Sequence, residues 1–138
     1  MRNNQHFILD EKRKVEIGML LRGLIEEKRC FIQPRFNLNQ LSKDTKISTN
    51  LLSAFFNQGL GHRFTDYIND LRITHCKQLI EDGAASEYSL KGPSKKCGFN
   101  NRNSFTTAFK KITGMLPSSY IKLSLDNKNV NKRFLEVI

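Results

Sequence analysis

Prolines are scarce in this chain of 138 residues, three in all, and glycines number only eight. No stretch alternates apolar and polar residues with a period of two. Together these absences argue against a sheet protein and predict an all-helical one. Cysteine is scarce too: Cys30, Cys76 and Cys97 are odd in number, widely spaced and form no CxxC pair. That pattern excludes a disulfide framework and a zinc-ligand spacing, and implies reduced, mostly buried thiols in a cytoplasmic protein. His6, His62 and His75 share no ligand spacing with each other or with acids, so neither a metal nor another cofactor is expected. The longest apolar stretch, "GMLLRGLI", is broken by Arg22 and too short to cross a bilayer. The opening "MRNNQHFILDEKRK" lacks the apolar centre of a signal peptide, so no membrane contact is expected either.

Acids are the other shortage. Thirteen Asp and Glu face 23 Lys and Arg, a formal charge of +10. Such an excess favours a polyanionic partner, meaning nucleic acid or an anionic membrane surface. Catalytic groupings are missing: no nucleophile–base pair, no carboxylate pair, and a "GLGHR" segment that follows no strand and so makes no phosphate loop. A non-enzymatic binding protein is the expectation.

Helical elements can be placed by their caps and periods. "LDEKRKVEIGMLLRGLIEEKR" reads as a helix started by Asp10, with Val15, Leu20, Leu21, Leu24 and Ile25 near one stripe. A short helix over roughly 38–45 follows, then a second capped by Ser48, with Leu52, Phe55 and Phe56 inward. Gly59 and Gly61 close it. A longer helix begins at Phe64, buries Phe64, Tyr67, Ile68, Leu71, Cys76, Leu79 and Ile80, and stops at Gly83. Arg72 within it is read as a structural hydrogen-bonding residue rather than a ligand contact. A second short pair is expected at about 90–97 and 101–112, and Pro117 starts a final turn or two through Tyr120 and Ile121. The tail, 123–138, is read as frayed or loosely docked.

The two short pairs are echoes of each other. Phe56, Gly61, Tyr67 and Ile68 recur as Phe109, Gly114, Tyr120 and Ile121, all displaced by 53 positions. "LSKDTKIS" precedes one copy's second helix and "PSKKCGFN" the other's, with tight turns at Lys46-Ile47 and Gly98-Phe99. This is the helix-turn-helix layout, in which an apolar residue after the turn locks two helices at a steep angle and leaves the second one proud. Asn101 is the expected N-cap of the later proud helix, with Arg102 and Asn103 in its first turn. Arginine can bridge two acceptors of guanine, and asparagine can pair with adenine. Lys110 and Lys111, farther along, suit phosphates. Thr49, Asn50, Ser53, Ala54 and Asn57, the outward side of the earlier proud helix, are candidate DNA contacts too. They are short and uncharged, so this half is the weaker reader or binds mostly through backbone and shape.

These residues carry a resemblance. The run Gly98-Phe99, Phe105, Phe109-Lys110, Gly114, Pro117 and Tyr120, with Leu41-Ser42, Ser48, Leu52 and Phe56 upstream, resembles the DNA-binding region of AraC-type (arabinose-regulator-like) transcription regulators over residues 38–122. The resemblance implies two helix-turn-helix subdomains joined by a linker helix, about seven helices in all. Its boundaries here would be an extension with one helix at 1–37, units at 38–62 and 84–122, the linker at 63–83 and the tail at 123–138. It also implies that Arg102, Asn103, Thr106 and Thr107 contact bases and backbone. The implied activity is sequence-specific binding of promoter DNA and recruitment of RNA polymerase, as a monomer on DNA or a dimer through a sensor domain outside this segment. The competing expectation is a degenerate interaction module that binds a partner regulator or the polymerase with little sequence reading. Three departures from the pattern stand out. Gly92, Pro93 and Ser94 fall where the family has an apolar residue and alanine, and a shortened helix starting at Pro93 is the expected rescue. Lys46 replaces a turn glycine, and Leu116 a capping threonine.

Overall fold

The computed structural model describes residues 9–82 and 95–137, with side chains through 127. Six α-helices and no strand occur among the described residues. The chain divides into two compact units, Met1–Asn69 and Asp70–Ile138, and the division falls inside one helix.

In the first unit, α1 spans Glu11–Arg22 and runs on as a wider π turn over Gly23–Glu27. Asp10 caps it by accepting the Arg13 amide at 2.7 Å. The buried line is Ile17, Leu21 and Ile25, with Leu24 half-buried. The sequence reading put Val15 and Leu20 on that line, but they are 56% and 45% exposed. At about 100° per residue both lie roughly 100–120° from Leu21, on the flanks. Gly18 faces Phe55 from this helix: a Cβ there would meet the ring at 3.6 Å, an ordinary packing distance. A single turn of 3₁₀-helix, Cys30–Ile32, follows.

Helix α2, Leu38–Thr45, is capped by Asn37, and α3, Thr49–Ala54, by Ser48, whose hydroxyl accepts the Leu51 amide at 3.1 Å. Lys46 joins them in the left-handed region at φ +61°, the conformation that the missing turn glycine would favour. Its amide still closes on the Ser42 carbonyl at 2.8 Å. Ile47 is buried after the turn, and Leu41, Leu52 and Phe56 are at most 1% exposed. From Phe55 to Leu60 the helix widens into a π turn and stops at Gly61, φ +71°. The rings of Phe55, Phe64 and Tyr67 surround Phe56 with centroids 5.2–5.5 Å away. Edge and tilted ring contacts of this kind hold the unit together beyond their area alone.

Helix α4, Phe64–Glu81, begins in the first unit and continues in the second. Its buried residues include Ile68, Cys76 and Ile80 as expected, and also Arg72 and Ile73. In the second unit, α5 spans Arg102–Thr113 and α6 spans Pro117–Val137. Cys97, Phe99, Phe105, Ala108, Phe109 and Ile121 close a core with Ile73, Cys76 and Ile80. Rings step through it from Phe99 to Phe105 (5.4 Å), Phe109 (5.7 Å) and Tyr120 (5.5 Å). Where the sequence predicts a final turn or two ending near Ile121, α6 instead continues to Val137. No Gly or Pro follows Pro117, and Leu125 packs on the core, so nothing stops the helix. The stop at Gly83, the helix start at Pro93 and most of the expected helix at 90–97 lie outside the described residues.

Candidate nucleic-acid interface

Helix α5 is held from below and open above. Phe105 and Phe109 are fully buried and Ala108 nearly so, fixing one side of the cylinder to the core. On the opposite side Asn103, Thr107 and Lys110 form an exposed row at i, i+4, i+7 spacing. Arg102 and Lys111 are exposed beside the row, and Thr106 is half-buried. Asn101 caps the helix, its carboxamide oxygen accepting the Ser104 amide at 2.8 Å. Asn101 thus ends the chain's extended approach, and its neighbours Asn100, Arg102 and Asn103 are exposed. The left-handed Gly98 (φ +99°) and buried Phe99 precede them, matching Lys46 and Ile47 of the first unit.

The segment that carries this helix is strongly basic. From Lys95 to Leu125 the chain carries Lys95, Lys96, Arg102, Lys110, Lys111 and Lys122 and no acid at all. Lys95 and Lys96, both exposed, were not singled out from the sequence; the doublet before the turn was the available signal. Arg72 does not belong to this face. It is 9% exposed, its guanidinium lies 5.6 Å from the centre of the Phe99 ring, and burial lowers its affinity for its proton. The sequence reading of Arg72 as structural agrees with that placement. Contact with the Cys76 thiol, followed by burial, pushes the Cys97 thiol far up, which makes it an unreactive core residue.

Helix α3 presents less. Asn50 and Asn57 are exposed, Thr49 and Ser53 half-buried. The Asn57 amide donates to the Ser53 hydroxyl at 3.3 Å, so these two side chains engage each other. Ala54, read as outward from the sequence, is 9% exposed and withdrawn from the face. Its methyl projects a single bond from the backbone, and winding departs from α at the next residue, so the 3.6-residue count across Ser53–Asn57 does not hold. Elsewhere in this unit, burial and then a hydrogen bond to Glu26 push the Tyr67 hydroxyl well above its ordinary range. Among the described residues no cluster of three or more His, Cys, Asp or Glu side chains is placed to hold a metal ion. Nor is any described helix long and apolar enough to cross a membrane.

Two helix-turn-helix units, each with a buried apolar turn residue and a capped, outward-facing second helix, define a double helix-turn-helix protein. A family model described as a helix-turn-helix domain matches residues 41–123, well over half of the chain. The chain belongs to the AraC-type helix-turn-helix family. Among curated proteins it is similar to the HTH-type transcriptional activator RhaR of Escherichia coli K12, with 25% identity over 122 residues. That match covers 88% of this chain and 42% of the relative, so the chain spans less than half the length of the curated relatives it matches. Among solved structures it is similar to a Listeria innocua protein of unknown function, with 28% identity, a TM-score of 0.69, and 78% of this chain and 96% of the other covered. The C-terminal domain of the two-component response regulator YesN from Fusobacterium nucleatum is alike at 28% identity and a TM-score of 0.67, covering 77% of this chain and 98% of that one. The C-terminal domain of AraT, a response regulator from Geobacillus stearothermophilus, shares the fold at 23% identity and a TM-score of 0.69, over 83% and 87%.

Proposed function

We propose that this chain is a sequence-specific, double-stranded DNA-binding transcription regulator, or the output portion of one, acting on promoter DNA in the cytoplasm. The observation that carries the reading is α5: an exposed polar row on a helix pinned by Phe105 and Phe109, in a stretch rich in cations and free of acids. Residues 38–62 and 84–122 serve as the two reading units. The first turn of α5 enters a major groove, the approach that helix-turn-helix proteins use.

Each side chain has a role its chemistry fits. Arg102 forks onto the O6 and N7 of a guanine, and Asn103 pairs with the N6 and N7 of an adenine. Thr106 and Thr107 offer a methyl to thymine or a hydroxyl to a base edge. Lys110, Lys111, Lys95 and Lys96 neutralise phosphates, which sets register and adds salt-sensitive affinity. Asn101 fixes the helix start and leaves only its amide group for a backbone oxygen. In the first unit Asn50 has the reach to pair with an adenine, while Thr49, Ser53 and Asn57 suit sugar–phosphate contacts. The curated relatives are named activators, and by analogy this chain activates transcription through contact with RNA polymerase.

The test is an unbiased selection of bound duplexes from a random pool with the purified chain. Enrichment of a defined motif is expected; recovery of a pool indistinguishable from the input would overturn the reading.

A further inference from the structure

The 53-residue displacement makes the two proud helices comparable position by position. Thr49, Asn50, Ser53, Ala54 and Asn57 become Arg102, Asn103, Thr106, Thr107 and Lys110. One pair is identical, Asn50 and Asn103, and both are exposed. The others diverge in one direction. Where the second unit has a guanidinium, the first has a half-buried threonine. An exposed threonine is matched by a withdrawn alanine. An exposed lysine is matched by an exposed asparagine whose amide donates to Ser53. Charge follows the same course. Residues 90–113 hold six cations and no acid, a net +6, while the equivalent 37–60 hold Lys43, Lys46 and Asp44, a net +1.

Resting on the DNA-reading function proposed above, we infer that the units divide the work unequally. The second unit supplies nearly all of the sequence discrimination and most of the phosphate attraction. The first contributes one base-reading side chain, Asn50, selective for an A·T pair, and otherwise follows the backbone. The physical ground is reach. Serine reads bases poorly, a buried methyl reads nothing, and bidentate readers discriminate by roughly fivefold to 150-fold each. A site recognised this way is lopsided: one half strongly specified, the other carrying a single preference.

Selection from a random duplex pool, run in parallel with the wild-type chain, Asn50→Ala and Asn103→Ala, tests this. The two substitutions are equivalent in place and chemistry, and both side chains are exposed, so circular dichroism should show unchanged folds. The inference expects a wild-type motif with one strong half and one conserved A·T pair in the other. Asn50→Ala erases that single preference and leaves the strong half intact; Asn103→Ala blurs the strong half. Two equally informative halves would overturn the division while leaving the regulator reading standing. So would an Asn50→Ala motif degraded at several positions, or one identical to wild type. If no sequence is enriched by the wild-type chain, the regulator reading itself falls and takes this inference with it.

Discussion

Lys46 holds a backbone conformation that costs an L-residue energy, and the cost can be recovered. At φ +61°, ψ +23° its Cβ crowds the following carbonyl, a penalty of about 1–2 kcal/mol. Replacement by glycine removes that penalty but gives the unfolded chain more freedom, worth about 0.4–1 kcal/mol against folding. The difference is a net stabilisation of up to about 1.5 kcal/mol for Lys46→Gly. The Lys46 amide keeps its bond to the Ser42 carbonyl, so no contact is sacrificed beyond an exposed side chain. Gly61, in the same unit at φ +71°, supplies the mirror experiment. A Cβ added there meets nothing within 4 Å, so Gly61→Ala isolates the conformational cost and should destabilise by a similar amount. Native-state hydrogen exchange at the Leu41, Leu52 and Phe56 amides reads the stability of this unit alone. Opposite signs for the two substitutions are expected. A destabilising Lys46→Gly beside a neutral Gly61→Ala would refute the backbone argument.

Four other outcomes are expected. Phe105→Ala removes a fully buried ring at the middle of the aromatic series and should cost about 3–5 kcal/mol, seen as loss of the second unit's exchange protection. Arg102→Ala should lose about 1–3 kcal/mol on the preferred duplex and relax specificity at one base pair, whereas Lys110→Ala weakens all duplexes alike and lowers the salt slope by about one. Burial and the hydrogen bond to Glu81 push the Tyr120 hydroxyl up to about 12 from its ordinary 10.0. Because the folded chain holds that proton more tightly, its contribution is complete below about pH 10 and fades as pH climbs toward 12, so Tyr120→Phe should flatten the alkaline loss of stability measured by urea titration. Cys76 and Cys97 are fully buried and Cys30 only half-buried, so a thiol reagent should label Cys30 first and the other two at the rate of unfolding.

Much of this architecture was legible in the residues because the signals are local. Asn101 and Ser48 announce their helices through side chains that can only reach the next turn, and both cap where expected. The α2 boundaries, 38–45, agree with the expected span and its turn at Lys46-Ile47, although the Asn37 cap was not anticipated. Other features depend on what lies across the core. The side that α1 buries depends on residues far away in sequence, Phe55 among them, and apolar Val15 and Leu20 gave no hint that they would stay outside. Arg72 was expected to be structural, but its depth, 9% exposed within the core, depends on the residues that close around it. The length of α6 was hidden because a polar run without Gly or Pro permits a helix and does not require one. At the candidate interface, the exposed face of α5 follows from its apolar period. The retreat of Ala54 does not, because the period itself changes at the adjoining π turn.

The most direct measurement is a pair of anisotropy titrations, one with the duplex enriched by selection and one with its base order shuffled, each at low and at moderate salt. This account predicts tighter binding to the enriched duplex at both salt concentrations, with both affinities dropping steeply as salt rises. Equal affinity for the two duplexes would contradict it.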